Sequence, residues 1–202
     1  MTHTCLSVRV VLHISVLTTL LSAVAISQAS SSIECLDLAE RGECDFYKCL
    51  EKTHRCGHTG YALGYGFRYC DRFTVHFHRL TSEGQRWMSA VRKCLMKELL
   101  EYYMTAADKT CGTIKTFAFL SHPPCYVKSG PGFCSIITDP RNYDALYRGY
   151  QLKDFVGDDW KVVWRQVQQT AFRCGGQMAQ GFVDTLHGYY ASAVQGWYSM
   201  FA

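Results

Sequence analysis

The chain has 202 residues, 48% of them hydrophobic, 14% aromatic and 19% charged, which excludes a disordered or fibrous polymer and is enough for one domain with an ordinary core. Its formal charge is +4, from 21 basic and 17 acidic residues. No Lys/Arg-rich run is present, so no nucleic-acid partner is expected.

Residues 1–29 open with His3 and Arg9, continue as VVLHISVLTTLLSAVA and end in small residues. That is the layout of a secretory signal peptide, with cleavage after Ala25 or just beyond Ala29. The apolar run is interrupted by His13, Ser15, Thr18 and Thr19 and falls short of the roughly 20 residues that a spanning helix needs. The expectation is a cleaved leader over 1–29, a folded domain over 30–202, secretion, and no membrane span in the mature chain. Arg9 is the leader's only charged residue, so its loss leaves 20 basic against 17 acidic residues, a net charge of +3.

Cys5 leaves with the leader, and ten cysteines remain: Cys35, Cys44, Cys49, Cys56, Cys70, Cys94, Cys111, Cys125, Cys134 and Cys174. An even set in a secreted chain predicts up to five intrachain disulfides. The intervals of 8, 4, 6, 13, 23, 16, 13, 8 and 39 residues contain no paired C-x-x-C zinc knuckle. The sole asparagine, Asn142, is followed by Tyr143 and Asp144, so there is no N-glycosylation sequon.

Between Ile33 and Glu51, apolar residues alternate with charge as two short helices broken at Gly42. The stretch from His54 to Cys70 mixes Gly57, Gly60, Gly64 and Gly66 with aromatics and reads as a loop. It lacks both glycine-rich phosphate-binding patterns. Phe67, Cys70, Phe73, Phe77 and Leu80 recur every three or four residues, as one face of a helix that ends near Leu80. Ser82-Glu83-Gly84-Gln85 has the form of a capping box and predicts the start of a helix of roughly 20 residues. Its buried stripe is Trp87, Met88, Val91, Leu95, Leu99 and Tyr102, with Cys94 beside it. Arg86, Arg92, Lys93, Lys97, Glu98 and Glu101 occupy the outside. This helix is expected to be the spine of the domain.

After Cys111, the residues Ile114, Phe117, Ala118 and Leu120 predict a shorter helix ended by Ser121-His122-Pro123-Pro124. Turns follow at Ser129-Gly130-Pro131-Gly132 and Thr138-Asp139-Pro140-Arg141. Asp158 or Asp159 is a cap for a helix whose inner face is Trp160, Val163, Trp164, Val167 and Ala171, closing at Cys174 with Gly175-Gly176 as its stop. Phe182, Leu186, Tyr189, Tyr190, Ala193 and Trp197 make a final amphipathic, aromatic helix, read as a packing or self-association surface. With no period-two strand pattern, the fold class is all-α with disulfide staples.

Chemistry is sparsely encoded. His76 and His78, two apart on a helix, face different directions and do not share a metal ion there. His54 and His58 flank Cys56 in a glycine-rich stretch and lack a third ligand at a known spacing. No serine-nucleophile elbow or H-E-x-x-H motif occurs, and Asp158-Asp159 reads as a helix cap. The chain is therefore expected to be neither an enzyme nor a cofactor carrier.

The framework resembles that of the stanniocalcins, secreted hormone-like proteins of calcium and phosphate regulation. The resemblance rests on C-x8-C-x4-CLE from Cys35 to Glu51, the C-x23-C step from Cys70 to Cys94 with its helix start at Gly84-Gln85, C-x13-C from Cys111 to Cys125, and the final Cys134 and Cys174. It covers most of residues 35–200 with low residue identity. It implies the pairs Cys35–Cys49, Cys44–Cys70, Cys56–Cys111, Cys94–Cys125 and Cys134–Cys174. It further implies a hormone-like role through a receptor or another extracellular protein.

Three departures stand out. The insert YALGYGFRY lengthens the stretch before Cys70; Lys52-Thr53-His54 replaces the sequon common after CLE; and the chain stops at Ala202, before the cysteine that joins two family subunits. A dimer is then expected to be non-covalent. The insert and the final helix are the expected partner contacts. A secreted toxin-like binding protein is the alternative, and a secreted hydrolase a weaker one.

Overall fold

Residues 32–41 form a helix, α1, and the chain turns at Gly42, whose φ of 72° lies in the left-handed region open to glycine. α2, Asp45–Thr53, follows and buries Phe46, Tyr47, Cys49 and Leu50 on one face. The computed structural model describes residues 32–150, 160–175 and 188. Those residues form helices joined by short turns, and no strand occurs among them.

The glycine-rich stretch is a loop only as far as Gly60. Ala62–Phe67 is a wide π-helical turn that runs straight into α3, Arg68–His76, and a 3-10 turn at Phe77–Arg79. The loop expectation fails because these glycines serve packing. A Cβ at Gly66 would fall 2.5 Å from the Tyr47 ring, so only glycine lets this turn rest on α2. α3 then ends where the apolar rhythm predicts, with Leu80 buried.

α4, Ser82–Thr105, is the predicted spine. Its cap is Thr81, one residue earlier than expected: Thr81 Oγ1 accepts from Gly84 N–H at 3.1 Å. In a capping box, the third helical residue returns a side chain to the cap's own N–H. Here that residue is Gly84, and a remote side chain takes its place. Asn142 Oδ1 accepts from Thr81 N–H at 2.9 Å, in space that a Cβ on Gly84 would invade. Asn142 Nδ2 also donates to the Ile136 carbonyl at 2.7 Å.

α5, Cys111–Lys128, passes through Pro123 and Pro124, where the sequence predicts a stop. Each proline removes an amide donor and ordinarily breaks a helix. Beyond them, however, the chain is held from outside. Cys125 is bonded to Cys94 on α4, and the Tyr126 carbonyl accepts from Trp87 Nε1 at 2.8 Å. A short α6, Phe133–Ile136, precedes α7, Pro140–Gly149, which the sequence pattern does not reveal. Asp139 caps α7, accepting from Arg141 N–H at 3.0 Å, with Pro140 in the first turn, where its missing donor costs nothing. α8, Trp160–Arg173, buries Val163 and Ala171 as expected, together with Gln166 and Thr170. The leader, Asp158-Asp159 and the final aromatic helix lie outside the described residues.

Two cores sit along the spine. Met96, Leu99, Leu100 and Tyr103 of α4 pack with Phe46, Leu50, Ile114 and Phe119 in one, and Trp87, Met88 and Val91 pack with Phe133, Ile136 and Leu146 in the other. Leu95 and Tyr102 of the predicted stripe are half-buried at its margins. Arg92, expected on the outside, is half-buried as well. It donates to the Cys70 carbonyl at 3.2 Å and lies over the Phe77 ring.

Five disulfides clamp these elements: Cys35–Cys49, Cys44–Cys70, Cys56–Cys111, Cys94–Cys125 and Cys134–Cys174, with Cα separations of 5.2 to 5.7 Å. α7 contains no cysteine and is held by the packing of Ala145 and Leu146 in the second core and by hydrogen bonds. Asn142 ties its first half to the α4 cap. Arg72 of α3 donates to the Gly149 and Arg148 carbonyls at 3.0 and 2.8 Å, placing a cation at its C-terminal end.

Replacing Cys56 and Cys111 by serine opens a loop with a sequence separation of 55. The chain-entropy relation gives a loss of roughly 4 kcal/mol, to be read as a drop in denaturant midpoint. Asn142→Ala orphans the Thr81 amide and leaves the Ile136 carbonyl with only the Asp139 N–H as donor, and is expected to cost about 2 kcal/mol at unchanged m-value.

Candidate functional site

The insert Tyr61–Tyr69, expected as an exposed contact loop, is part of the core. Tyr61, Ala62 and Tyr69 are buried and Tyr65 is half-buried. The cause is a run of aromatic contacts. Tyr61 and Tyr65 meet Phe119 of α5 edge-on at 5.5 and 4.7 Å, and Tyr65 lies 4.4 Å from Tyr69. Ring edges against ring faces favour this arrangement beyond the area they bury.

At the centre of the cluster lies a residue that the sequence reading placed in a helix stop. His122 is 2% exposed. Its Nδ1 is 2.7 Å from Gln166 Oε1 on α8 and its Nε2 is 3.2 Å from the Tyr61 hydroxyl. Because an amide oxygen only accepts, this network assigns the proton to Nδ1 and makes Nε2 the acceptor for the Tyr61 O–H. The ring also stacks on Tyr126 at 5.5 Å. One signal for its burial was available. Ile114, Ala118, His122 and Cys125 continue a helical rhythm across the point where two prolines predict an end.

Burial lowers the His122 pKa from 6.5 to about 4, against the opposing pull of the Gln166 hydrogen bond, and pushes the Tyr61 and Tyr126 hydroxyls well above their usual value. The cluster is therefore uncharged at neutral pH. It joins the π-turn, α5 and α8 through neutral hydrogen bonds.

The other histidines among the described residues are dispersed. His54 packs edge-on against Tyr103 at 5.6 Å, and His58 is exposed in the turn before Tyr61. His76 ends α3, and His78 is exposed in the 3-10 turn. His76 titrates below its usual value through desolvation first, then the nearby Arg79, Arg72 and Arg148. Among the described residues, no group of three or more His, Cys, Asp or Glu side chains is placed to hold a metal ion. No helix among them is long and apolar enough to cross a membrane.

Exposed apolar side chains occur at Ile33, Leu36, Val75 and Met104, and two more meet in one groove. Phe172 of α8 is 87% exposed and Leu120 of α5 is 56% exposed. Leu120 thus faces away from the core that its neighbours Ala118 and Phe119 enter. The two residues line an open groove between α5 and α8, together with Pro123, Pro124, Gln168 and Arg173. Large apolar side chains gathered in one exposed groove, with amide and guanidinium groups at its edge, have the make-up of a protein contact.

Searches against family models, curated proteins and solved structures found no match to this chain.

The His122 shift makes stability depend on pH with a definite sign. A base whose folded pKa is depressed binds its proton more tightly in the unfolded chain, so its contribution is complete above about 6.5 and is lost as pH falls towards about 4. Over that interval the oxidised protein is expected to lose on the order of 3 kcal/mol. A His122→Gln variant should lack this part of the slope in a series of melts at stepped pH.

Proposed function

We propose that the chain is a secreted, non-enzymatic signalling protein of stanniocalcin type, acting by binding a receptor or another extracellular protein in calcium or phosphate balance. The observation that carries this reading is the cysteine framework. Ten cysteines form five bridges in the pairing that the resemblance implies, and a helical domain clamped at this density fits an oxidising compartment. The exposed apolar groove at Leu120 and Phe172 supports it further by offering a contact face outside both cores. Self-association without a covalent link belongs to the same reading.

The test is saturable binding of the oxidised protein to intact cells and to extracellular fluid, followed by cross-linking and identification of the partner. One extracellular protein bound saturably is expected, with affinity lowered about 10-fold or more when Leu120 and Phe172 are both changed to Asp, since desolvated apolar anchors dominate such contacts. Absence of any saturable extracellular partner, or turnover of a lipid or peptide substrate by the purified protein, would overturn the proposal.

A further inference from the structure

Two adjoining cavities of about 60 and about 40 Å³ lie inside the fold, between α3, α4, α5, α7 and α8. They share Tyr65, Trp87, Tyr126, Leu146 and Tyr150 as walls, which makes them two lobes of one space. The second lobe is closed by one face of α8, and no charged side chain lines it.

Two polar atoms on that face have no hydrogen-bond partner among the described residues: Gln166 Nε2 and Thr170 Oγ1. Their side chains belong to residues only 6% and 3% exposed, and both line the second lobe. Four residues apart on a helix, they are neighbours on one face. The Gln166 amide is not free to turn away, because its Oε1 is held by His122 Nδ1. An amide N–H and a hydroxyl buried without partners each carry a desolvation cost that is uncommon in folded proteins. Here both sit at the wall of a space lined mainly by aromatic and aliphatic side chains, with Arg92 at the first lobe only.

We infer that the two lobes form a binding site for a small uncharged aromatic molecule carrying a hydroxyl, of the phenol class. Its ring lies among the aromatic walls, and its oxygen accepts from the Gln166 amide while its O–H donates to Thr170 Oγ1. An anionic head is disfavoured, because the second lobe offers no charge to replace lost hydration. The two lobes together give about 100 Å³, two thirds of the roughly 150 Å³ of an apolar protein cavity that takes up benzene, so a single ring fits only with an outward shift of the walls, and nothing larger than one ring is expected. This inference does not depend on the receptor reading, since its α8 residues, Gln166 and Thr170, are buried, whereas Phe172 of the groove is exposed.

The test uses the full oxidised chain, titrated with phenol, toluene and benzoate while melting temperature and heat of binding are followed. Phenol is expected to bind with a Kd of roughly 0.1–1 mM, as suits a ligand of this size, and about 5-fold or more tightly than toluene, with no saturation by benzoate. Thr170→Val, nearly isosteric and relieved of its buried hydroxyl, should fold normally and bring phenol and toluene to similar affinities. Val167→Phe, which fills the second lobe, should abolish binding of both. No saturable binding of phenol would overturn the inference and leave ordered water as the partner of Gln166 and Thr170. Equal affinities for phenol and toluene in the unaltered protein, or unchanged binding in Val167→Phe, would overturn it as well.

Discussion

The Cys94–Cys125 bridge holds α4 and α5 together at the level where the two cores meet. On one side of Cys94 the spine contributes Met96, Leu99 and Leu100 to the first core, and on the other Val91, Met88 and Trp87 to the second. Because Cys125 follows directly on Pro123-Pro124, the bridge also anchors the part of α5 least able to support itself by backbone hydrogen bonds. The consequence reaches the interior. His122 and Tyr126, on either side of the proline pair, are carried into the aromatic cluster because α5 does not stop before it.

Covalent and non-covalent ties divide the fold between them. The cysteine bridges tie α1 to α2, the start of α2 to α3, the loop after α2 to the start of α5, the spine to α5, and α6 to the end of α8. α7 carries no bridge and depends on packing and hydrogen bonds instead. Asn142 completes the α4 cap from a position 61 residues away from Thr81, and Arg72 closes the other end of α7. Such bonds are individually worth about a kilocalorie per mole or two, but leaving one partner buried without the other costs more. The position of α7, and the cavity wall that Leu146 and the following Tyr150 contribute, therefore rests on these polar groups together with the packing of Ala145 and Leu146 in the second core.

Helix existence was legible where hydrophobic rhythm and breakers agreed. The pair split at Gly42, the stripe of α4 and the inner face of α8 each repeat at three and four residues and end at residues with a backbone reason to end them. Misreadings arose where a local signal was outweighed by a distant contact. Glycines in Gly64-Tyr65-Gly66 read as a loop, yet Gly66 is required by the Tyr47 ring against it. Ser82 reads as the cap of α4, yet Thr81 takes that role because Asn142 satisfies its N–H. The candidate surface shifted for the same reason. The insert is buried by Phe119 and its neighbours, and Leu120, on an apparently apolar helix, faces solvent.

By itself, the sequence determined the class of the fold: a helical chain with ten cysteines after an apolar N-terminal stretch, its apolar residues spaced for one face of most of its helices. Those properties are local, set by side-chain spacing along a backbone with few alternatives. Tertiary structure decided how far α5 runs, which residue caps α4, where α7 sits, and that Tyr61, His122 and Gln166 meet across three elements. Each of these depends on partners tens of residues apart. Local propensities of a fraction of a kilocalorie per residue give way to buried contacts and disulfides worth several times more.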